Sequence, residues 1–342
     1  MPDEEEEGPL TQGDGLMAAK ARRQLLMTAA PPPPQPLTNA WVCIAAYCTA
    51  VLVAWGSWEM YKQVLNGVSD WFIALLADVA ATFAVFAFSA ASDNSSMYDP
   101  FWMVAPPLLC LKLKYEGSGL VAPWHARQVL GVLLVFTWSL RFHVRSPWPG
   151  WRHGLAHEDF RYTDYRAKLP ASPQYWAFSL LSFHFIPTLI VFFALAPLAL
   201  VLLAPVDQPS LGMLDVAGFL IGACAITVEA VADEQLARFR RTAAASEPCV
   251  QGLWRYSRHP NYFGEVPTKI RAPRTRTTTH TFDTTHPRAR QGLFWLSLLP
   301  FAVSARLLLA APWIPLGPSA MLAMLRFASV PMMDERSLMR CG

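Results

Sequence analysis

Apolar residues in this chain arrive in blocks, and the blocks are as long as a membrane is thick. "WFIALLADVAATFAVFAFSAA" (Trp71 to Ala91) holds one acid and no base, and "YWAFSLLSFHFIPTLIVFFALAPLALVLLAP" (Tyr175 to Pro205) holds no acid, lysine or arginine. A helix crosses a hydrocarbon core of about 30 Å with roughly 17–25 apolar residues. The chain is therefore read as an integral membrane protein. Composition agrees: 15% of the 342 residues are charged and 53% hydrophobic, against about 25% charged in a soluble domain. A net charge of +3, with no basic patch interleaved with aromatics, excludes a nucleic-acid partner.

Further blocks complete an all-α, polytopic transmembrane bundle of about seven or eight spans. They are Ala40 to Trp55, Phe101 to Leu111, Val129 to Leu140, Leu211 to Asp233, Gly292 to Leu316 and a weaker Ala320 to Met332. The Pro106–Pro107 pair predicts a broken or re-entrant span, and Pro187 and Pro197 predict kinks. Residues 1–39, with "DEEEE" and "PPPPQP", read as a disordered acidic and proline-rich tail. Residues 40–342 form the membrane domain.

Arginine concentrates in Arg141 to Lys168 and in Arg238 to Arg258, while the "VDQPS" turn between the intervening spans has neither Arg nor Lys. Cytosolic loops carry the basic excess, so both basic loops are placed in the cytosol, where they would form a cofactor site. Six cysteines without a CxxC pattern, mostly inside apolar blocks, predict neither disulfides nor a zinc site. No set of histidines has ligand spacing, and His184 reads as a satisfied polar residue.

The second basic loop contains "GLWRYSRHPNYFGE". Arginines there suit phosphate, tyrosines stack on rings, Asn261 offers donor and acceptor, and Gly264 admits a ligand closely. The same inventory also suits an interfacial loop touching headgroups. Upstream, Glu229 and Asp233 in "VEAVADEQLARFRR" are four apart and share one helix face. Acids at the mouth of a membrane helix are functional candidates; a solvated helix end is the alternative.

Together with "EDFRY" and, more weakly, "PMMDERSLMR", these motifs resemble the steroid 5-alpha-reductase-like membrane family, in particular its functionally obscure branch. The likeness runs in outline from Trp41 to Arg340. It implies an NADPH-dependent reductase of a conjugated C=C bond in a lipid-like substrate (steroid, fatty or isoprenoid enone), seated in the bilayer of the endoplasmic reticulum or another endomembrane. Carried over by position, Asp233, Arg240, Tyr256, Asn261 and Glu265 match cofactor positions. Arg258 and His259 belong to the branch motif, and Asp159 and Arg161 form a neighbouring polar pair. Glu229 departs from the family's usual Asn.

The family's catalytic donors are a Tyr and a Glu from the first half. Glu59, Tyr61 and Tyr98 are the residues of those types here, with Glu59 and Tyr98 taken as the candidates, and Asp99 in "MYDPFW" sits at a recognisable position of the branch. "RHPNYFG" also resembles the motif of S-adenosylmethionine-dependent isoprenylcysteine and phospholipid methyltransferases, a second enzymatic reading. A non-catalytic membrane protein is a third. Residues 266–291, rich in Thr and Arg, interrupt the family pattern and read as a disordered insert or translated intron.

Overall fold

A computed structural model describes residues 40–119, 121–145, 158–204, 208–242, 247, 249–256, 260, 292–329 and 331–333. Among them every regular element is helical. The helices are α1 (Ala40–Val64), α2 (Asp70–Ala91), α3 (Tyr98–Ser118), α4 (Ala126–Arg145), α5 (Phe160–Lys168), α6 (Ser172–Leu203), α7 (Met213–Thr242), α8 (Gly292–Leu296), α9 (Leu299–Ser304) and α10 (Leu316–Met324).

Five helices are long and apolar enough to cross a membrane: α1, α2, α6, α7 and the run Leu316–Met333 that starts with α10. Helices α3 and α4, with 21 and 20 residues, have the length but carry charged groups that pair inside the bundle. The expected single span from Gly292 to Leu316 is instead the short helices α8 and α9 with turns after each. Pro300 begins α9, Arg306 has a left-handed φ of 60°, and Pro312 and Pro315 prevent regular continuation.

From Leu189 onward helix α6 is apolar on all sides, and it forms the centre. Ala194, Leu195, Ala196, Leu198, Ala199, Val201 and Leu202 are fully buried, as expected of a helix without a polar face. Around it, α1 presents Trp41, Leu52, Trp55 and Val64 outward. The bundle has two distinct ends. At one, the starts of α3 and α6 meet the ends of α2, α4 and α7, together with α5. At the other, the ends of α1, α3 and α6 meet the starts of α2, α4 and α7. The described parts of both arginine-rich segments lie at the first end, and Lys112 and Lys114 near the second.

The prolines show how the interior is built. α3 runs unbroken through Pro106 and Pro107, contrary to the expected break. Pro107 cannot donate to the Met103 carbonyl one turn earlier, and Ser139 of α4 donates to that carbonyl instead, at 2.8 Å. In α6, Pro187 follows a π turn at Leu180–Phe185, where the ladder re-registers. Pro197 leaves the Phe193 carbonyl without its helical donor, and Gly317 of α10 packs so close that a Cβ there would stand 1.8 Å from that oxygen.

The far end is held by Arg127 and Asp215, both with fully buried side chains. Their contact is a parallel pair, Nε to Oδ1 at 2.6 Å and Nη2 to Oδ2 at 2.9 Å. Gln208, the Ser210 carbonyl and Ser304 accept from the guanidinium, and the Gly212 amide donates to the carboxylate. The group is fully satisfied and has a structural role.

Candidate functional site

At the arginine-rich end the "EDFRY" residues dock onto the turn before α3. Asp159 caps α5 by accepting from the Arg161 amide at 3.0 Å, and it also takes Arg161 Nε at 2.7 Å. Arg161 Nη2 reaches both oxygens of Asp99, at 3.2 and 3.3 Å, and Tyr162 donates to Asp99 at 2.7 Å. Burial, followed by the Asp99 charge, pushes the Tyr162 phenol well above its ordinary range. Burial works against the Arg161 charge, but Asp99 and its neighbours raise that pKa too. Glu158 beside them accepts from the Ser95 amide at 2.8 Å and from Arg166 at 3.0 Å. Asp159 and Arg161 are thus brought together with Asp99.

The second cluster joins α4 to α7. Arg141 lies 2.7 Å from Glu229 and 3.0 Å from Asp233. Glu229 is fully buried, and neither of its oxygens, nor Arg141 Nε or Nη2, makes a hydrogen bond. The short contact therefore brings charges together without aligned donors, and buried polar atoms in that condition call for an explanation. The "GLWR" turn folds back onto the same helix end. Its Leu253 amide donates to Gln235 at 2.7 Å and Trp254 Nε1 to the Ala232 carbonyl at 2.8 Å. Arg240 and Tyr256 are exposed at this end. Arg258, His259, Asn261 and Glu265 lie outside the described residues, as do 1–39 and 266–291.

The third cluster is inside the bundle. Asp78 on α2 is only 6% exposed and, among the described residues, its carboxyl has no hydrogen bond or ion pair. It lines a crevice with Tyr98, Phe101, Trp102, Thr188 and Val191. It sits eight residues into α2, about 12 Å from the far end at 1.5 Å per residue. Tyr98 OH is 2.6 Å from Thr188 Oγ1, which also donates to the His184 carbonyl at 2.8 Å and touches Thr82 Oγ1 at 2.8 Å. The π turn directs His184 inward. Its Nδ1 can only donate to the Ser179 carbonyl, at 2.9 Å, and its Nε2 lies 3.2 Å from Ser89 Oγ, whose hydroxyl also reaches the Val85 carbonyl at 3.0 Å.

Two aromatic rings separate this crevice from Arg141. Trp102 lines the crevice, its ring is 6.0 Å from Phe142, and Phe142 lies 4.1 Å from the Arg141 guanidinium. Of the two catalytic candidates, Tyr98 is in the crevice. Glu59 is at the other end of the bundle, half-exposed and paired with Lys112 at 3.3 Å. Asp78 and Arg141 are the residues that sequence reasoning missed. The available signals were a lone acid within an apolar block and the first arginine after one.

The geometry now meets the comparisons with known proteins. A family model described as a protein of unknown function (DUF1295) matches residues 85–268. The chain belongs to this family. Its members are membrane proteins related to steroid 5-alpha-reductases. The match covers α3 to α7, the "EDFRY" segment and the "RYSRHPNYFGE" segment, and stops at Thr268, within the stretch read as an insert. No curated protein and no solved structure matches the chain.

Proposed function

We propose that the chain is an endomembrane reductase that uses NADPH to saturate the C=C bond of a lipid-like conjugated carbonyl compound, within the obscure branch marked by "RYSRHPNYFGE". The observation that carries this reading is the unpartnered Asp78 carboxyl beside Tyr98, in a crevice two rings away from a cluster of arginine and carboxylates.

The residues present fit the cofactor. Arg141 and Glu229 have buried atoms without hydrogen-bond partners. Arginine suits phosphate, the 2′-phosphate of NADPH included, and carboxylates can accept from the ribose hydroxyls that carry no phosphate. Arg141, Asp233, Arg240 and Tyr256 would hold it, with Asp159, Arg161 and the motif residues Arg258, His259, Asn261 and Glu265 completing the set. Bound NADPH supplies the hydride taken by the carbon β to the carbonyl. Asp78 in its acid form and Tyr98 each have an O–H to donate to the carbonyl oxygen as negative charge grows on it. Removing one such fixed donor lowers kcat by about 100- to 1,000-fold. Apolar walls exclude water, and a proton reaching the α carbon completes the product.

Titration of purified protein with NADPH and with S-adenosylmethionine separates the reductase from a methyltransferase and from a non-catalytic protein. Saturable NADPH binding and oxidation on adding an enone are expected. Asp78→Leu lowers kcat by about 100-fold or more and leaves NADPH affinity unchanged. Binding of S-adenosylmethionine in place of NADPH, or of neither, sinks the reading.

A further inference from the structure

A larger cavity opens at the other end of the bundle, away from the arginine-rich segments. Its volume is about 420 Å³, within the roughly 300 to 1,000 Å³ of pockets that enclose small molecules. It is an open cleft between the start of α2, the ends of α3 and α6, and the turn before α10. Gly117 lets α3 close its floor, since a Cβ there would stand 2.5 Å from the Leu202 carbonyl oxygen. Two membrane-crossing helices stop here, α2 starting at Asp70 and α6 finishing at Leu203, so the cleft is at the level of lipid headgroups.

Two tryptophans and two acids set its chemistry. The Trp71 and Trp313 rings line it with centroids 6.1 Å apart and planes 28° from parallel. Both are fixed: Trp71 stacks on Phe192 at 4.0 Å, and Phe193 meets the two rings edge-on at 6.2 and 6.3 Å. A ring attracts a cation within about 6 Å of its centroid, so one cation at this notch can be held by both. Asp70 and Glu116 line the same cleft, and among the described lining residues there is no lysine or arginine. Lys62 bridges the two acids from α1, at 2.5 and 3.6 Å, and Lys112 reaches Glu116 at 2.8 Å and Glu59 at 3.3 Å. This chain of ion pairs joins three carboxylates to two ammonium groups, which leaves one negative charge in excess. Three of the four oxygens of Asp70 and Glu116 already have a lysine. A ligand cation therefore meets charge and aromatic rings, with few oxygens left to accept an N–H. Leu200, Leu203 and Ala311 add apolar contact for methyl groups. We propose that the cleft binds a quaternary ammonium group, carried by a choline-headed phospholipid or by a free choline-type cation. The proposal is independent of the reductase reading, whose residues lie inside the bundle and at its opposite end.

The test uses full-length protein in nanodiscs of phosphatidylcholine, phosphatidylethanolamine and phosphatidylglycerol in equal parts, with identical acyl chains. Native mass spectrometry reads which lipid stays bound. Phosphatidylcholine is expected to be enriched about tenfold over either of the others, the scale of a desolvated cation on aromatic faces. Trp313→Leu and Asp70→Asn should each remove most of that enrichment, and either one carries the comparison if the other does not fold. Calorimetric titration of tetramethylammonium into protein in phosphatidylglycerol nanodiscs tests the free cation. Binding that Trp313→Leu weakens about tenfold upholds the proposal with a soluble source. Retention of phosphatidylcholine without such binding upholds it with a lipid source. Equal retention of phosphatidylethanolamine and phosphatidylcholine with no tetramethylammonium binding overturns it, as does binding that neither variant alters.

Discussion

Thr188 has one hydroxyl proton and three oxygen neighbours, Tyr98 OH, Thr82 Oγ1 and the His184 carbonyl. A carbonyl only accepts, so when Thr188 donates to His184, Tyr98 must donate to Thr188. Turning the Thr188 hydroxyl toward Tyr98 releases the phenol proton to the crevice. Thr188 is thus a positioning residue for Tyr98. Thr188→Val strands the phenol, and leaving a buried polar group unpaired costs roughly 1–3 kcal/mol. Under the proposed reductase activity, the expected outcome is a kcat lower by about tenfold with KM nearly unchanged, measured by NADPH oxidation and reversed by Thr188→Ser, which keeps the hydroxyl.

At the scale of elements, the apolar blocks were legible as helices because lipid leaves the backbone few alternatives. Their interruptions were not. Pro106 and Pro107 predict a break, yet α3 continues because Ser139, on another helix, satisfies the Met103 carbonyl. That compensation depends on α3–α4 packing, which no local pattern contains. At Pro197 the Phe193 carbonyl is met by close packing instead, with Gly317 of α10 against it. Gly317→Ala places a methyl group against that backbone oxygen and should lower stability by about 1–3 kcal/mol. Gly56→Ala, where nothing lies within 4 Å, is the neutral control. Thermal unfolding in detergent compares the two. The site was legible to a similar extent: the residue types at the arginine-rich end could be named, but the pairing of Arg161, itself held by Asp159, with Asp99 brings together positions about sixty residues apart. Glu59 and Asp78 were both acids of the first half. Only the helix packing shows that one is on the rim and the other inside.

Across the whole molecule, α4 and α7 are pinned together at both ends, by Arg127 with Asp215 and by Arg141 with Glu229 and Asp233. Removing one member of a buried pair leaves an uncompensated charge and costs about 3–5 kcal/mol, whereas replacing both by apolar groups is often neutral. Arg127→Met alone should therefore collapse the yield of folded protein in detergent, and Arg127→Met with Asp215→Leu should recover most of it. Size-exclusion profiles of the three proteins make the comparison.

The double pinning also bears on biogenesis. Arg127 emerges from the ribosome 88 residues before its partner Asp215, so α4 reaches the translocon with both of its buried arginines unmatched. Stable integration of α4 must wait until α7 has been synthesised, and a nascent chain halted between the two should be held by insertion chaperones or degraded rather than released into the bilayer.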